Sequence, residues 1–344
     1  MITFHNPLHH LHAPVHEFFR GERVPCFEKP ARADYVESRL TERGHALLAP
    51  DQDSSTVLAR IHAPRYLQFL QTAWAQWLAL DPANAQVQPF PSVWPVRTLR
   101  SDIEPDNFVA RLGLYSMDNG TPLAAGSWQA AKAGADAAAS AAARVAAGER
   151  AAFCCTRPPG HHAEKTKAMG FCLFNNVAIG ALHARAKHGL KRIAVVDFDV
   201  HHGNGSEDIL FNDDHVLMCS IFEKNIYPFC GDVPMGKNMI NVGLPSRSLG
   251  DVFRDAVLKQ WIPALEKYQP QMIFISAGFD GHREDDMGNL GLVEADYEWV
   301  TKQIMQIADR YAQGRVVSCL EGGYALSALG RSAAAHVRVL IGAD

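Results

Sequence analysis

Short, mostly apolar runs, two of them carrying a single serine and all giving way to polar or charged residues or glycine, set the rhythm of the second half of this chain: Ala152–Cys155, Ile193–Val196, Met272–Ala277 and Val316–Cys319. Runs of this length without polar alternation belong to strands covered on both faces, as in a parallel sheet. Strands are predicted near 152–156, 193–198, 215–221, 238–242, 271–277 and 315–320, and helices near 173–188, 251–268, 294–312 and 325–341. This alternation predicts an α/β fold with a doubly wound, mainly parallel multi-stranded sheet flanked by helices. Upstream, a helical period runs from Ala31 to Arg43, and a short strand is predicted over His45–Ala49. An amphipathic helix over 64–79 would place Tyr66, Leu67, Leu70 and Trp74 on one side. The alanine-rich stretch from Trp128 to Ala147 is a strong helix former, with Gly148 as its stop.

Two segments escape this rhythm. Residues 80–124 carry Pro82, Pro89, Pro91, Pro95, Pro105 and Pro122 with little periodicity. A loop of that length inside a compact domain is usually functional, here as a lid or an oligomer contact. Residues 1–30 are rich in proline and histidine and read as loop plus a short strand, with His5, His9, His10, His12 and His16 as a surface cluster on a solvated loop rather than a metal-binding tail. No linker interrupts the alternation, so one domain is expected over 1–344, with 80–124 as a loop insertion.

Composition narrows the function classes. Of 344 residues 47% are hydrophobic and 20% charged, the profile of a globular protein with a sizeable core. A net charge of −4 provides no basic footprint for nucleic acid. The seven cysteines lack paired CxxC spacing and read as reduced, mostly buried thiols. Neither a signal-like N-terminus nor a membrane-length apolar run of about 18 residues is present, so a cytoplasmic protein with no membrane partner is expected.

The chemistry sits where the strands end. Asp197-Phe198-Asp199-Val200-His201-His202-Gly203-Asn204-Gly205 follows Ile193–Val196. Asp199 and His201, two apart on an extended backbone, point to the same side and can converge on one cation. Open α/β sheets place ligands beyond the carboxyl ends of their strands. Other runs end in Arg157-Pro158-Pro159-Gly160-His161-His162, Gly278-Phe279-Asp280 and Glu321-Gly322-Gly323-Tyr324. Four strand ends thus offer imidazoles, carboxylates and a phenol.

These motifs, with Gly170-Phe171-Cys172-Leu173-Phe174-Asn175-Asn176, resemble the histone deacetylase family, in family order from about residue 20 to the C-terminus. The segment Gly21–Pro30 and the chain length are similar to the bacterial acetylpolyamine amidohydrolases of that family. The resemblance implies an arginase/deacetylase fold and a metal-dependent amide hydrolase. Asp199, His201 and Asp280 would hold zinc, with iron(II) as the alternative, and leave room for water and a substrate carbonyl. Two carboxylates neutralise the dication and weaken its acidification of water, so a separate base becomes useful. By resemblance His162 is that base, oriented by Asn204; His161, bonded to Asp197, is mainly electrostatic; and Tyr324 stabilises the oxyanion. Phe171 and Tyr227 would wall a narrow tunnel, and the Gly170 carbonyl would accept the substrate N–H. Asp197 and Ser220 would bind structural potassium, and Arg32 matches an internal arginine near the acetate exit.

The substrate these features imply is an acetylated polyamine such as acetylputrescine or acetylcadaverine, its ammonium read by Glu17 and Glu104. A homodimer through 80–124, with Phe90, Trp94 and Phe108 as anchors, would narrow the mouth. The rival within the family is a protein acetyl-lysine deacetylase, which needs an open rim. A binuclear ureohydrolase would need more bridging carboxylates. A non-catalytic acetyl-amine binder would need neither base nor oxyanion donor.

Overall fold

The computed structural model describes residues 2–94 and 102–342. Its strands are β1 Ile2–His5, β2 His16–Phe19, β3 Glu22–Pro25, β4 Leu47–Leu48, β5 Ala151–Cys155, β6 Ile193–Asp197, β7 Val216–Glu223, β8 Met239–Leu244, β9 Met272–Ala277 and β10 Val316–Leu320. Eight form one sheet in the order β4-β1-β5-β10-β9-β6-β7-β8, and every pair in it is parallel. The remaining two, β2 and β3, make an antiparallel hairpin that the sequence pattern did not predict.

The helices are α1 Ala31–Thr41, α2 Ser55–Ile61, α3 Pro64–Leu80, α4 Phe108–Leu114, α5 Ser127–Ala146, α6 Asn176–His188, α7 Asn204–Leu210, α8 Gly250–Ala256, α9 Ile262–Tyr268, α10 Glu294–Tyr311 and α11 Leu326–Leu340. Alternate strand residues serve opposite layers, as strand geometry requires. Ala151, Phe153 and Cys155 of β5 join α1, α8, α10 and α11 in one core, while Ala152 and Cys154 join α5 and α6 in the other. The alanines of α5 are what allow it to lie close against β5 and α6, and most are fully buried. Helices α2, α3 and α4 stack outside this layer through a third cluster that includes Tyr66, Phe69, Leu70 and Phe108. Leu67 and Trp74, expected on the same buried stripe, are only partly covered.

Local chemistry sets several element ends. Asn175 accepts from the Ala178 N–H at 3.0 Å and so starts α6, and Gly189 in left-handed conformation stops it. The helix predicted over 251–268 is divided by a wide π-turn at Val257–Trp261. Pro263 lacks an amide donor and its ring would crowd the carbonyl of Lys259, so the regular ladder cannot run through.

Two expectations for the irregular segments are corrected. His9 and His12 are buried, at 4% and 2% exposure, rather than part of a solvated loop. Within 80–124, α4 packs Phe108 against Phe69 and Trp77 of α3, so Phe108 belongs to the chain's own core and does not anchor an interface. Residues 95–101 of that segment, Pro95 among them, lie outside the described residues. Among the described residues no helix is long and apolar enough to cross a membrane.

Candidate active site

The four central neighbours β5, β10, β9 and β6 end side by side, and their carboxyl ends converge at one site. From β6 come Asp197, Asp199 and His201; from β9, Asp280; from β5, His161 and His162; from β10, Tyr324. Asp199, His201 and Asp280 offer three ligand atoms within 4.8 Å of one another, all buried. His201 Nδ1 lies 3.1 Å from Asp199 Oδ1 and 3.2 Å from Asp280 Oδ2. Ligand atoms on a tetrahedral ion with bonds near 2.0–2.1 Å stand roughly 3.3 Å apart, so the spacing fits a metal.

The donor set gives the same answer. Asp280 Oδ2 is buried and, despite its closeness to His201, has no aligned hydrogen-bond partner. Burial alone would depress the His201 imidazolium, but the adjacent Asp199 and Asp280 carboxylates hold it up to about 10. Burial, then the charge of Asp199, pushes Asp280 up to about 6. Two buried carboxylates thus demand a positive charge at this point, which a divalent cation supplies. Backbone amides preset the carboxylates: Asp199 accepts from His201 and Gly322 at 2.9 and 2.8 Å, and Asp280 from Val200 at 3.0 Å. A side chain at Gly322 would place its Cβ 2.0 Å from Asp280 Oδ2, so only glycine allows this loop to close over the ligands.

The two histidines differ through their partners. His161 Nδ1 meets Asp197 Oδ2 at 2.9 Å, whereas His162 Nδ1 meets Asn204 Oδ1 at 2.8 Å. The Asn204 amide is turned this way because its Nδ2 donates to Glu164 Oε1 at 3.0 Å. His162 must therefore carry its proton on Nδ1, which leaves Nε2 as a lone-pair acceptor. Burial, followed by the nearby His161 and His201, keeps His162 well below the usual imidazole range. Burial would lower His161 too, but the Asp199 and Asp197 carboxylates outweigh it and raise it well above that range.

Tyr324 faces the same space, its phenol held protonated by burial. Its loop is fixed by Asp285, which accepts from the Tyr324 and Ala325 amides at 2.6 and 2.9 Å. Arg32 lies beneath, its guanidinium 4.7 Å from the ring centroid, and Nε donates to the Gly323 carbonyl at 2.6 Å. A fully buried carboxylate, Glu28, balances Arg32 and Arg157 at 3.2 and 2.8 Å.

Above these groups a cavity of about 170 Å³ is lined by His162, Gly170, Phe171, His201, Tyr227 and Tyr324, and further out by Glu17, Asp118 and Met287. Gly170 approaches His162 so closely, in left-handed conformation, that a Cβ would lie 2.3 Å from the ring. Its carbonyl is 3.2 Å from Cys172 Sγ. A larger groove of about 740 Å³, around Leu11, Trp74 and Val87, holds none of the proposed catalytic residues.

Some residues fall elsewhere than expected, or carry roles the sequence did not expose. Glu104 does not line the cavity; it accepts from the Tyr115 hydroxyl at 2.7 Å and faces Arg111. Ser220 sits directly across from Asp197 on β7, and its Oγ is 3.0 Å from His202 Nδ1. Asp118 went unnoticed: one carboxylate oxygen accepts from the Tyr227 hydroxyl at 2.5 Å and the Gly170 amide at 3.1 Å. Glu321 likewise fixes the histidine turn by accepting from the Gly160 and His161 amides at 2.6 and 3.1 Å. The glutamate could be read in its glycine-rich motif, but a lone aspartate in a turn carries no such signal.

Comparison with known proteins identifies the family. The family profile described as Histone deacetylase domain matches residues 26–340. Acetylpolyamine amidohydrolases 2 and 1 of Pseudomonas aeruginosa are 36% and 34% identical, each alignment covering 97% of this chain and 96% of the relative. The crystal structure of an acetylpolyamine aminohydrolase from Burkholderia pseudomallei, from an iodide soak, superposes with TM-score 0.88 at 30% identity, over 98% of this chain and 97% of that one. A buried acid–imidazole–acid trio, a neutral histidine and a phenol at the ends of a parallel sheet, in a chain matched almost end to end, make this protein a member of the histone deacetylase family and a hydrolase of amide C–N bonds.

Proposed function

We propose that the chain removes the acetyl group from N-acetylated polyamines of the acetylputrescine or acetylcadaverine type. The observation that carries this reading is the cavity itself, lined by the Phe171 and Tyr227 rings, His162, the Tyr324 phenol and the Glu17 carboxyl. At about 170 Å³ it is smaller than the roughly 300 Å³ and upward of drug-sized sites, and suits a methylene chain ending in an acetamide. The full-length likeness to acetylpolyamine amidohydrolases supports the same substrate class.

In this reading the methylene chain lies between Phe171 and Tyr227, and the Gly170 carbonyl accepts the amide N–H. Asp199, His201 and Asp280 would hold zinc, or iron(II) as the alternative, which would supply Lewis acidity at the acetyl carbonyl. His162 Nε2 takes a proton from the attacking water as the new C–O bond forms. Tyr324 donates to the developing oxyanion, an interaction stronger in the transition state than in the substrate. The C–N bond then breaks, His162 returns the proton to the leaving amine, and acetate and a free amine result. His161, anchored by Asp197, contributes positive potential without transferring a proton.

Outside the chemistry, Glu17 and the neighbouring Asp118 attract the distal ammonium. Potassium between Asp197 and Ser220, a cytoplasmic location and one domain over 1–344 with 80–124 as an insertion complete the proposal. So does a homodimer formed through that insertion, where Leu80, Val87 and Ile103 remain exposed. Glu104 would meet substrate only in such an assembly. Turnover of the zinc-loaded protein on acetylputrescine, acetylcadaverine, acetylspermidine and an acetyl-lysine peptide tests the substrate. A preference for the peptide would transfer the assignment to protein deacetylation.

A further inference from the structure

The N-terminal histidines meet α1 in an arrangement that the amide chemistry does not use. His9 and His10 are consecutive in a 3-10 turn, His9–Leu11, and Asp34 lies in the first turn of α1. Asp34 Oδ1 is 3.6 Å from His9 Nε2 and 3.1 Å from His10 Nε2, and the three ligand atoms lie within 4.8 Å of one another. These separations bracket the roughly 3.3 Å expected between ligands on a tetrahedral ion with 2.0–2.1 Å bonds.

His9 itself points to a ligand. The side chain is 4% exposed, its Nδ1 has no partner, and Nε2 stands too far from Asp34 to hydrogen-bond. Among the described residues, then, this buried imidazole makes no hydrogen bond at all, an unusual state for a buried polar group. His10 and Asp34 remain open to solvent, which gives an ion a way in and a water to complete its shell.

We propose that His9, His10 and Asp34 form a second metal site, apart from the catalytic centre, for a borderline divalent cation of the zinc class. Two imidazoles and one carboxylate suit zinc and its transition-metal neighbours and disfavour magnesium or calcium, which take oxygen ligands. With one carboxylate instead of two, and with Arg157 nearby, this site binds more weakly than the catalytic one. Its effect is to clamp the 3-10 turn to α1. Both partners lead inward: the His9 carbonyl accepts from Arg157 Nη1 at 2.5 Å, and Arg32, two residues before Asp34, holds the Gly323 carbonyl beside Tyr324.

The test is metal stoichiometry on the full chain. Protein stripped by chelator is equilibrated with zinc alone, freed of loosely held ion and analysed for metal, and its melting temperature is followed through the titration. The wild type should take up a second equivalent that raises the melting temperature. His10→Ala combined with Asp34→Asn, both at exposed positions, should lose that equivalent and the rise while keeping the kcat of the singly loaded enzyme. Asp280→Ala should lose the catalytic equivalent and keep the other. A wild type that saturates at one equivalent, or a double variant that retains the second, overturns the site.

Discussion

At the floor of the cavity Asp199, His201, Asp280, His161 and His162 stand on the ends of adjacent strands, almost wholly buried, each held by a named hydrogen-bond partner. Along its wall Glu17, Phe171 and Asp118 come from a hairpin and from connections rather than from strand ends: among the described residues the Glu17 carboxylate accepts one hydrogen bond, from the Phe27 amide at 3.1 Å, and Asp118 is tied to Gly120, Thr121, Gly170 and Tyr227 of neighbouring connections. The floor is over-determined because a charge buried there without its partners would cost several kcal/mol, so any drift is penalised. The wall can change without disturbing the sheet. Chemistry is therefore a property of the fold, and substrate choice a property of the connections.

Breaking the floor should have the largest effect. Asp280→Ala or His201→Ala removes one of three protein ligands, and both metal retention and hydrolysis should fall to background, measured by metal analysis and turnover. Tyr324→Phe should retain the metal and an unchanged KM, yet lose roughly 10²–10³-fold in kcat, the usual loss for one oxyanion donor. An undiminished kcat would assign the oxyanion to another group.

Changes in the connections should be smaller and should separate stability from specificity. Phe108→Ala, which empties part of the cluster with Phe69 and Trp77, should cost about 3 kcal/mol in denaturant unfolding and leave kcat alone. If it instead shifts the sedimentation coefficient with unchanged stability, Phe108 serves an interface after all. Glu17→Gln should raise KM for a cationic acetylamine by about tenfold, equivalent to about 1.4 kcal/mol, and leave a neutral N-alkylacetamide unaffected.

The smallest effect is a pH dependence. Burial raises the Glu17 carboxyl to about 7, so it is neutral below that pH and anionic above it. The attraction for an ammonium is thus absent in mild acid and present in mild base. The ratio of kcat/KM for a cationic over a neutral acetylamide should rise as pH increases through about 7, and Glu17→Gln should flatten that rise. A ratio that stays level in the wild type would remove Glu17 from substrate recognition.

The same contrast governs what could be read from sequence. Strands covered on both faces leave nearly uninterrupted apolar runs, and Asp199 and His201 at two-residue spacing declare a shared face, so β5, β6, β9, β10 and the convergence of Asp199, His201 and Asp280 were legible. β1 was not placed, because Ile2–His5 joins the sheet only through β4 and β5, far along the chain. α4 hid in a proline-rich stretch, since seven residues give barely two turns of pattern. Asp118 was invisible because its partner Tyr227 is 109 residues away. His9 and His12 looked solvated because nothing local shows that α1 and the Glu28–Arg157 pair cover them.

One measurement tests the account most directly: kcat/KM of the zinc-loaded protein on acetylputrescine and on an acetyl-lysine peptide, side by side with Tyr324→Phe. The account predicts hydrolysis of both, a clear preference for acetylputrescine, and a loss of roughly 10²-fold or more on both in the variant. Hydrolysis of neither by metal-loaded wild type, or a variant as active as the wild type, would contradict it.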